Sequence, residues 1–182
     1  SILFLSVSLK QEKELENLIR ARYPLLQLIS WEEERAERLL GRIAERLGKE
    51  VHVWSASSGL VSGMAEPDVS TRDPKIALER LSTHAPRALF IFRDLHPFFS
   101  DPVVIRRLRE LSQNFKSSHR TLILISPLLS VPLELEKEVT VVDYDLPGPE
   151  ELKSVLSDAM ASAEGNTRFE VNLTEEDQDR LI

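Results

Sequence analysis

Apolar residues cluster in five short runs: Leu25 to Ile29, Val51 to Trp54, Ala88 to Phe92, Leu122 to Ile125 and Val139 to Tyr144. Apolar character that is continuous rather than alternating predicts strands covered on both faces. Between the runs, apolar positions recur every three or four residues, the period of amphipathic helices. Asp73-Pro74 before KIALERLSTH and Asp101-Pro102 before VVIRRLRELSQNF each supply an N-cap acceptor and a first-turn proline. In the second of these helices Val104, Leu108, Leu111 and Phe115 form one stripe, with Arg106, Arg107 and Arg109 largely off it. A further helix is expected around Glu12 to Arg22, and Pro147 and Pro149 lead into EELKSVLSDAMA after the last strand. The order β-α-β-α-β-α-β-β-α predicts an α/β fold of three αβα layers around a five-stranded, mostly parallel sheet. The longest irregular stretch is SASSGLVSGMAEPDVSTR, Ser55 to Arg72, and a loop of that length usually binds something or moves.

The two ends carry separate expectations. The opening SILFLSVSL is too short to span a bilayer and lacks the flanks of a signal peptide. It reads as an edge strand, a docking segment or a start-site artefact, within an extension over residues 1–11. The main domain is expected over 12–161. Residues 162–182 read as a linker and the start of a small helical lid, because LTEEDQDRLI opens a helix with no ending signal. The chain is therefore expected to be a fragment, or to continue into disorder.

Composition narrows the classes. Over 182 residues, 42% hydrophobic and 29% charged content fits an ordinary globular domain. A net charge of −7 opposes a grip on nucleic acid or anionic lipid by bulk electrostatics, although a local basic face is compatible with it. With no cysteine there is neither a disulfide framework nor a thiolate site.

In a parallel α/β sheet, the turn after the first core strand is where a phosphate would bind. A phosphate loop requires GxxxxGK[ST], in which glycines admit the phosphates to backbone amides, lysine reaches the terminal phosphates and the hydroxyl holds magnesium. Laid on Ser30, that frame puts Ser30 and Arg35 at the glycines, Ala36 at the lysine and Glu37 at the hydroxyl. Every defining position is wrong. Ser30 and Glu33 instead have the spacing of a capping box. Glu32, Glu33 and Glu34 place three anions on the positive end of the helix dipole, where a polyphosphate would have to sit. The third strand gives matching evidence. In ALFIFRDLHPFF, Arg93 falls at the position of a magnesium-binding acid and Asp94 at that of a water-activating one. Arginine cannot ligate magnesium, so Asp94 reads as the start of a loop or the cap of a short turn.

Together these features resemble the large subdomain of an AAA+ ATPase with its nucleotide chemistry removed. LILISPLL ends where that superfamily carries a polar sensor, here Ser126, and VVDYDLPGPEELKSVL is similar to its fifth strand, Leu-Pro turn and next helix. LSVPLELEKEVT lacks the arginines usual between strands four and five, including the finger that reaches a neighbour's ATP. More specifically, LIRARYPLLQLISWEEERA, VHVWS, RRLRELSQ and LELEKEVTVVDYDLP resemble the N-terminal half of an uncharacterised AAA+ family of cyanobacteria and plastids, named only as a hypothetical chloroplast reading frame. The likeness covers about Leu15 to Ile182. It implies a degenerate, non-catalytic regulatory or assembly domain with no cofactor of its own, ahead of an intact module that binds ATP and magnesium. It also implies a cyanobacterial cytoplasm or plastid stroma, and a link to photosynthesis or inorganic-carbon use. The implied partners are the protein's own ATPase module, neighbouring subunits and an unidentified protein, with neither nucleic acid nor membrane favoured.

Other clusters admit two readings each. His52, His84, His96 and His119 show no metal-ligand spacing. His96, near Asp94, is either a loop histidine or a proton relay. SASSGLVSG lacks a nucleophile-elbow frame. Trp31, Trp54, His96, Phe98 and Phe99 lie near strand ends, where core packing or a partner surface would explain the aromatics. Arg106, Arg107 and Arg109, with Lys116, His119 and Arg120, form a solvated helix face or a docking face for an acidic partner or RNA. The competing functional expectations are an atypical ATP site built on Asp94, Ser126 and Arg93, and an RNA adaptor on the arginine face.

Overall fold

The computed structural model describes residues 2–144 and Ser157, with side chains from Gln11 onward. The helix expected at EELKSVLSDAMA and the lid expected at LTEEDQDRLI lie outside the described residues, apart from Ser157, which is helical and exposed. The chain divides into two units: Glu12–Asp145, and the terminal segments Ser1–Gln11 with Leu146–Ile182. The whole sheet lies in the first of these.

Six strands form that sheet: β1 (Leu25–Ile29), β2 (Glu50–Ser55), β3 (Gly59–Ser62), β4 (Arg87–Arg93), β5 (His119–Ser126) and β6 (Thr140–Asp143), in the order β3-β2-β4-β5-β1-β6. The helices are α1 (Ile2–Arg20), α2 (Glu33–Leu47), α3 (Pro74–Leu81) and α4 (Pro102–Phe115). The five expected strands are present and mutually parallel, whereas β3 pairs antiparallel with β2 and makes the sheet mixed. The continuous apolar runs arise because alternate residues face two different layers. Trp54, Ala88, Phe90, Phe92, Leu122 and Leu124 pack with α3 and α4, while Leu26, Leu28, Leu89, Ile91, Ile123 and Ile125 pack with α1 and α2. The two Asp-Pro starts behave as expected: Asp73 accepts from the Lys75 amide at 2.9 Å and Asp101 from the Val103 amide at 2.8 Å. Ion pairs from Arg42 and Arg46 to Glu12 and Glu16 fasten α2 to α1. Burial works to raise the Glu12 carboxyl, but the two arginines overcome it and hold it below its usual range.

Two expectations change. SILFLSVSL is not a strand: its backbone from Ile2 is the first part of α1, which meets no proline or glycine before Pro24. The stretch Ser55 to Arg72 is not irregular either. Ser55 Oγ accepts from the Ser58 amide, Gly59 turns the chain at φ 79°, and β3 returns along β2 to a 3-10 turn at Val69–Thr71. A side chain at Gly59 would put its Cβ 2.1 Å from the Asp68 carbonyl oxygen, so the turn requires glycine. Buried Thr71 closes this corner. Its hydroxyl accepts from the Leu60 amide and donates to the Asp68 carbonyl, and its own carbonyl accepts from Trp54 Nε1 at 2.7 Å.

Thr71→Val keeps the shape but leaves the buried Leu60 amide unpaired. The expected cost is about 1–3 kcal/mol in urea unfolding, and an unchanged midpoint would contradict the role given to the hydroxyl. His52 supplies a pH dependence. It is buried on β2, its Nδ1 lies 2.7 Å from Ser62 Oγ, and its ring meets His84 edge-on. Burial, then the His84 charge, lower its pKa against the opposing pull of Glu50. Well above the unfolded value, about 6.5, both states are neutral, so no stability is lost there. As pH falls through that value the unfolded chain takes up the proton first, and stability declines. His52→Gln should flatten the loss of urea midpoint between about pH 7 and pH 5.

Candidate functional site

The crossover from β1 runs through α2 on one face of the sheet toward β2, and the later crossovers return through α3 and α4 on the other face. Connections that diverge in this way leave a crevice at the C-terminal ends of the strands, around β1, β4 and β5. The residues singled out after those strands do converge there.

Ser30 donates its amide to the Ser126 carbonyl at 3.0 Å, which continues the β1–β5 ladder one step past the strand. Its hydroxyl accepts from the Glu32 amide at 3.0 Å. The capping box expected between Ser30 and Glu33 does not form: Glu32 is the N-cap residue, it makes no side-chain cap, and Glu33 turns to another partner. The ladder bond holds Ser30 too far back to cap α2. Each of the three glutamates is instead matched by an arginine. Glu32 accepts from Arg35 at 2.7 Å, Glu34 lies 3.6 Å from Arg38, and Glu33 lies 3.3 Å from Arg93. Burial pushes the Glu33 carboxyl up, with Glu37, Asp94 and Glu34 adding and Arg93 opposing. Arg35 also stands over the Tyr144 ring, 5.1 Å from its centroid. Ala36 is fully buried.

At the centre is a fork between α2 and the end of β4. Arg93 Nε donates to Glu37 Oε1 at 2.5 Å and Arg93 Nη2 to Glu37 Oε2 at 2.7 Å. These two residues occupy the hydroxyl position of the phosphate-loop frame and the position of the magnesium-binding acid, the two protein groups a bound magnesium would need. Here one is a carboxylate with both oxygens engaged and the other is a cation. The hydrogen bond to Glu37 raises the Arg93 pKa despite partial burial, so the guanidinium remains charged. The residues present do not fit magnesium or a nucleotide's phosphates.

The flanking positions are also engaged. Buried Ser126 Oγ accepts from Gln27 Nε2 at 2.8 Å and donates to the Leu128 carbonyl at 2.8 Å. Asp94 is exposed at φ 49° and donates its amide to the Ile125 carbonyl, so it turns the chain out of β4. His96 begins a 3-10 turn, His96–Phe98, and its buried Nδ1 has no hydrogen-bond partner among the described residues.

The expected aromatic surface is mostly internal. Trp54 is fully buried and stacks on Phe92 with centroids 4.9 Å apart, and Phe98 and Phe99 pack partly buried against the same core. Their strand-end positions lie under α3 and α4 rather than outside them. Of the expected aromatics Trp31 alone remains outside, 72% exposed, and just past the end of β5 stand Leu128 and Leu129, at 53% and 64%. The periodicity does not single out those leucines, although PLLSVP, apolar and bounded by prolines, carries the signal.

Three cations of the arginine face are likewise compensated. Arg106 pairs with Glu110, Arg107 with Glu79 and Lys116 with Glu138. Arg120 donates to the Ala85 and Ser82 carbonyls over the Phe115 ring. Arg109 lines a shallow groove that also contains Glu110 and Glu138. Acids from α3, α4 and the chain before β6 thus offset Arg106, Arg107 and Lys116 in a cluster that looks basic along one helix.

An α/β sheet of five parallel strands with helices on both faces, and a strand-to-helix turn at the position of a phosphate loop, is the architecture of an AAA-type domain. Residues 11–144 match the model of the SpoVK-like AAA ATPase N-terminal domain, and the chain belongs to that family. It is similar to uncharacterised AAA domain-containing proteins designated ycf46. Identity is 29% over 147 residues in Guillardia theta, 30% over 153 in Trieres chinensis and 28% over 144 in Pyropia yezoensis. These matches cover 79%, 82% and 78% of this chain but only 29%, 31% and 29% of the relatives. The matched region therefore spans just under a third of the length of these relatives.

The Arg93–Glu37 fork is open to a double-mutant cycle. Its carboxylate is 17% exposed and its guanidinium 36%. Bidentate charge-assisted bonding therefore outweighs solvent screening, and a coupling of about 1–2 kcal/mol is expected between Arg93→Met and Glu37→Gln in urea unfolding. A coupling near zero would show that the fork does not hold α2 to β4.

Proposed function

We propose that this chain is a non-catalytic regulatory or assembly domain of an AAA ATPase, one that positions a separate ATP-hydrolysing module. The observation that carries the reading is the Arg93–Glu37 fork. A guanidinium and a carboxylate satisfy each other in the place where an active site would hold magnesium between a hydroxyl and an acid. Buried Ala36 supplies no cation for phosphate, and the three glutamates supply anions in the place of one. We read Arg93, Asp94 and Ser126 as vestiges of the metal and sensor positions.

The main partner in this reading is the rest of the parent protein. Relatives more than three times as long as the matched region leave ample room for an intact module with ATP and magnesium. Trp31, Leu128 and Leu129, exposed at the rim of the disused site, are the surface we assign to that module or its neighbouring subunit. The kinship with ycf46 proteins supports a plastid stroma or cyanobacterial cytoplasm as the setting, and we extend the proposal to a role beside photosynthesis or carbon use. An atypical ATP site on Asp94, Arg93 and Ser126 loses support because two of those side chains are committed to internal bonds. An RNA adaptor on Arg106, Arg107 and Arg109 loses it because the first two are paired to glutamates and the third shares its groove with Glu110 and Glu138.

The test is thermal unfolding of the purified chain with millimolar ATP and magnesium, alongside a phosphate-release assay. No ATP-dependent shift and no turnover are expected. A clear shift that disappears in Asp94→Ala would overturn the assignment.

A further inference from the structure

The opposite edge of the sheet, where the parallel strands begin, carries a charge cluster that no acid among the described residues neutralises. Arg22 lies in the turn before β1, Lys49 immediately before β2, Arg87 opens β4 and His119 opens β5. The sheet order brings these strands side by side, and Arg87 is the register partner of His119. Four neighbouring strands about 4.8 Å apart span roughly 14 Å. Every side-chain bond recorded within the cluster goes to a neutral carbonyl: Lys49 Nζ donates to the His119 carbonyl, and Arg87 donates to the Gly48 carbonyl at 3.3 Å and the Leu47 carbonyl at 3.1 Å. Among the described residues none of the four makes an ion pair with a carboxylate, although acids outnumber Lys and Arg by 30 to 23 in the chain. Nearby Arg20, Arg42 and Arg46, by contrast, are all paired with Glu12 or Glu16.

The four groups also feel one another. The charge of Arg22, then some burial, then Arg87 and Lys49 hold the His119 imidazole below its ordinary pKa, and burial with Arg87 and Arg22 lowers Lys49. Arg22 adopts φ 63° just past the end of α1, where glycine would serve without strain.

We propose that Arg22, Lys49, Arg87 and His119 form a docking surface for a short acidic peptide segment of a partner protein. An extended acidic segment presents alternate carboxylates on one face about 7 Å apart, so a rim of roughly 14 Å holding three cations and a protonatable histidine meets about three of them. A longer polyanion such as RNA would extend past the cluster into the field of a chain with net charge −7. Tyr23, 43% exposed beside Arg22, offers one stacking platform, where proteins that hold single strands line up a base on each of several aromatics.

Fluorescence anisotropy of the 182-residue chain with a fluorescein-labelled hexaglutamate tests this, with labelled twelve-nucleotide poly(U) as the competing arm. Saturable hexaglutamate binding is expected at low salt, weakening toward physiological salt, together with an upward move of the His119 titration midpoint followed by NMR. Arg22→Asn, which tolerates the left-handed backbone, should weaken binding about fivefold, the value of one solvent-exposed charge contact. Adding Lys49→Met should weaken it further, while Arg106→Gln on α4 should not. Absence of hexaglutamate binding, indifference to Arg22→Asn in a chain whose circular dichroism shows it folded, or tighter binding of poly(U) would each overturn the proposal.

Discussion

The guanidinium of Arg93 laid flat against Glu37 determines what the C-terminal edge of this sheet can do. A parallel α/β sheet brings the first turn of the helix after β1 close to the end of β4, whatever residues stand there. If those residues were a hydroxyl and an acid, the space between them would attract a divalent cation. Because one is a cation and the other a carboxylate, they neutralise each other directly, and both oxygens of Glu37 are consumed. The same arginine lies 3.3 Å from Glu33, so it also offsets part of the negative charge at the start of α2. The three consecutive glutamates are tolerable there because the helix dipole favours them and Arg35, Arg38 and Arg93 each answer one.

Charge compensation extends over most of the surface, which makes its exceptions informative. The α1–α2 seam is laced by Arg42 and Arg46 against Glu12 and Glu16, and the α4 face by Glu79, Glu110 and Glu138. Such pairs contribute little stability one by one. Their joint effect is to remove long-range field from those faces. Two features stand out after cancellation: a cationic rim at the start of the strands and an exposed apolar trio, Trp31, Leu128 and Leu129, at their ends.

Much of the fold is legible in the sequence because its signals are local. The run from Leu25 to Ile29 is the observed first strand, and the two Asp-Pro caps start the observed helices. Misreadings arise where local signals are ambiguous. SILFLSV is rich in apolar residues and so admits an edge strand among its readings, yet without a breaker it forms the start of α1. GLVS is only four residues between Ser and Gly, too short to stand out, and becomes β3 through Gly59 and the Thr71 corner. The candidate site is half legible. Fitting the phosphate-loop frame exposes the wrong residues at the right places, but the pairing of Arg93 with a residue 56 positions away follows only from the sheet order. Trp54, Phe98 and Phe99 can be assigned to core or surface only once α3 and α4 are in place over them.

The basic rim shows why such surfaces escape a linear reading. Three arginines within four positions of α4 attract notice, yet each helical turn also brings acids into reach, and Arg106 and Arg107 are cancelled by Glu110 and Glu79. Arg22, Lys49, Arg87 and His119 are scattered singly over nearly a hundred residues. They share one property: each stands at or within three residues of the start of a parallel strand. Parallel pairing aligns all strand starts on one edge, so single cations at those positions add up in space without ever adjoining in sequence. The same alignment gathers α2, the end of β4 and the end of β5 at the other edge. One architectural rule thus produces both the Arg93–Glu37 fork at one edge and the gathered charge at the other.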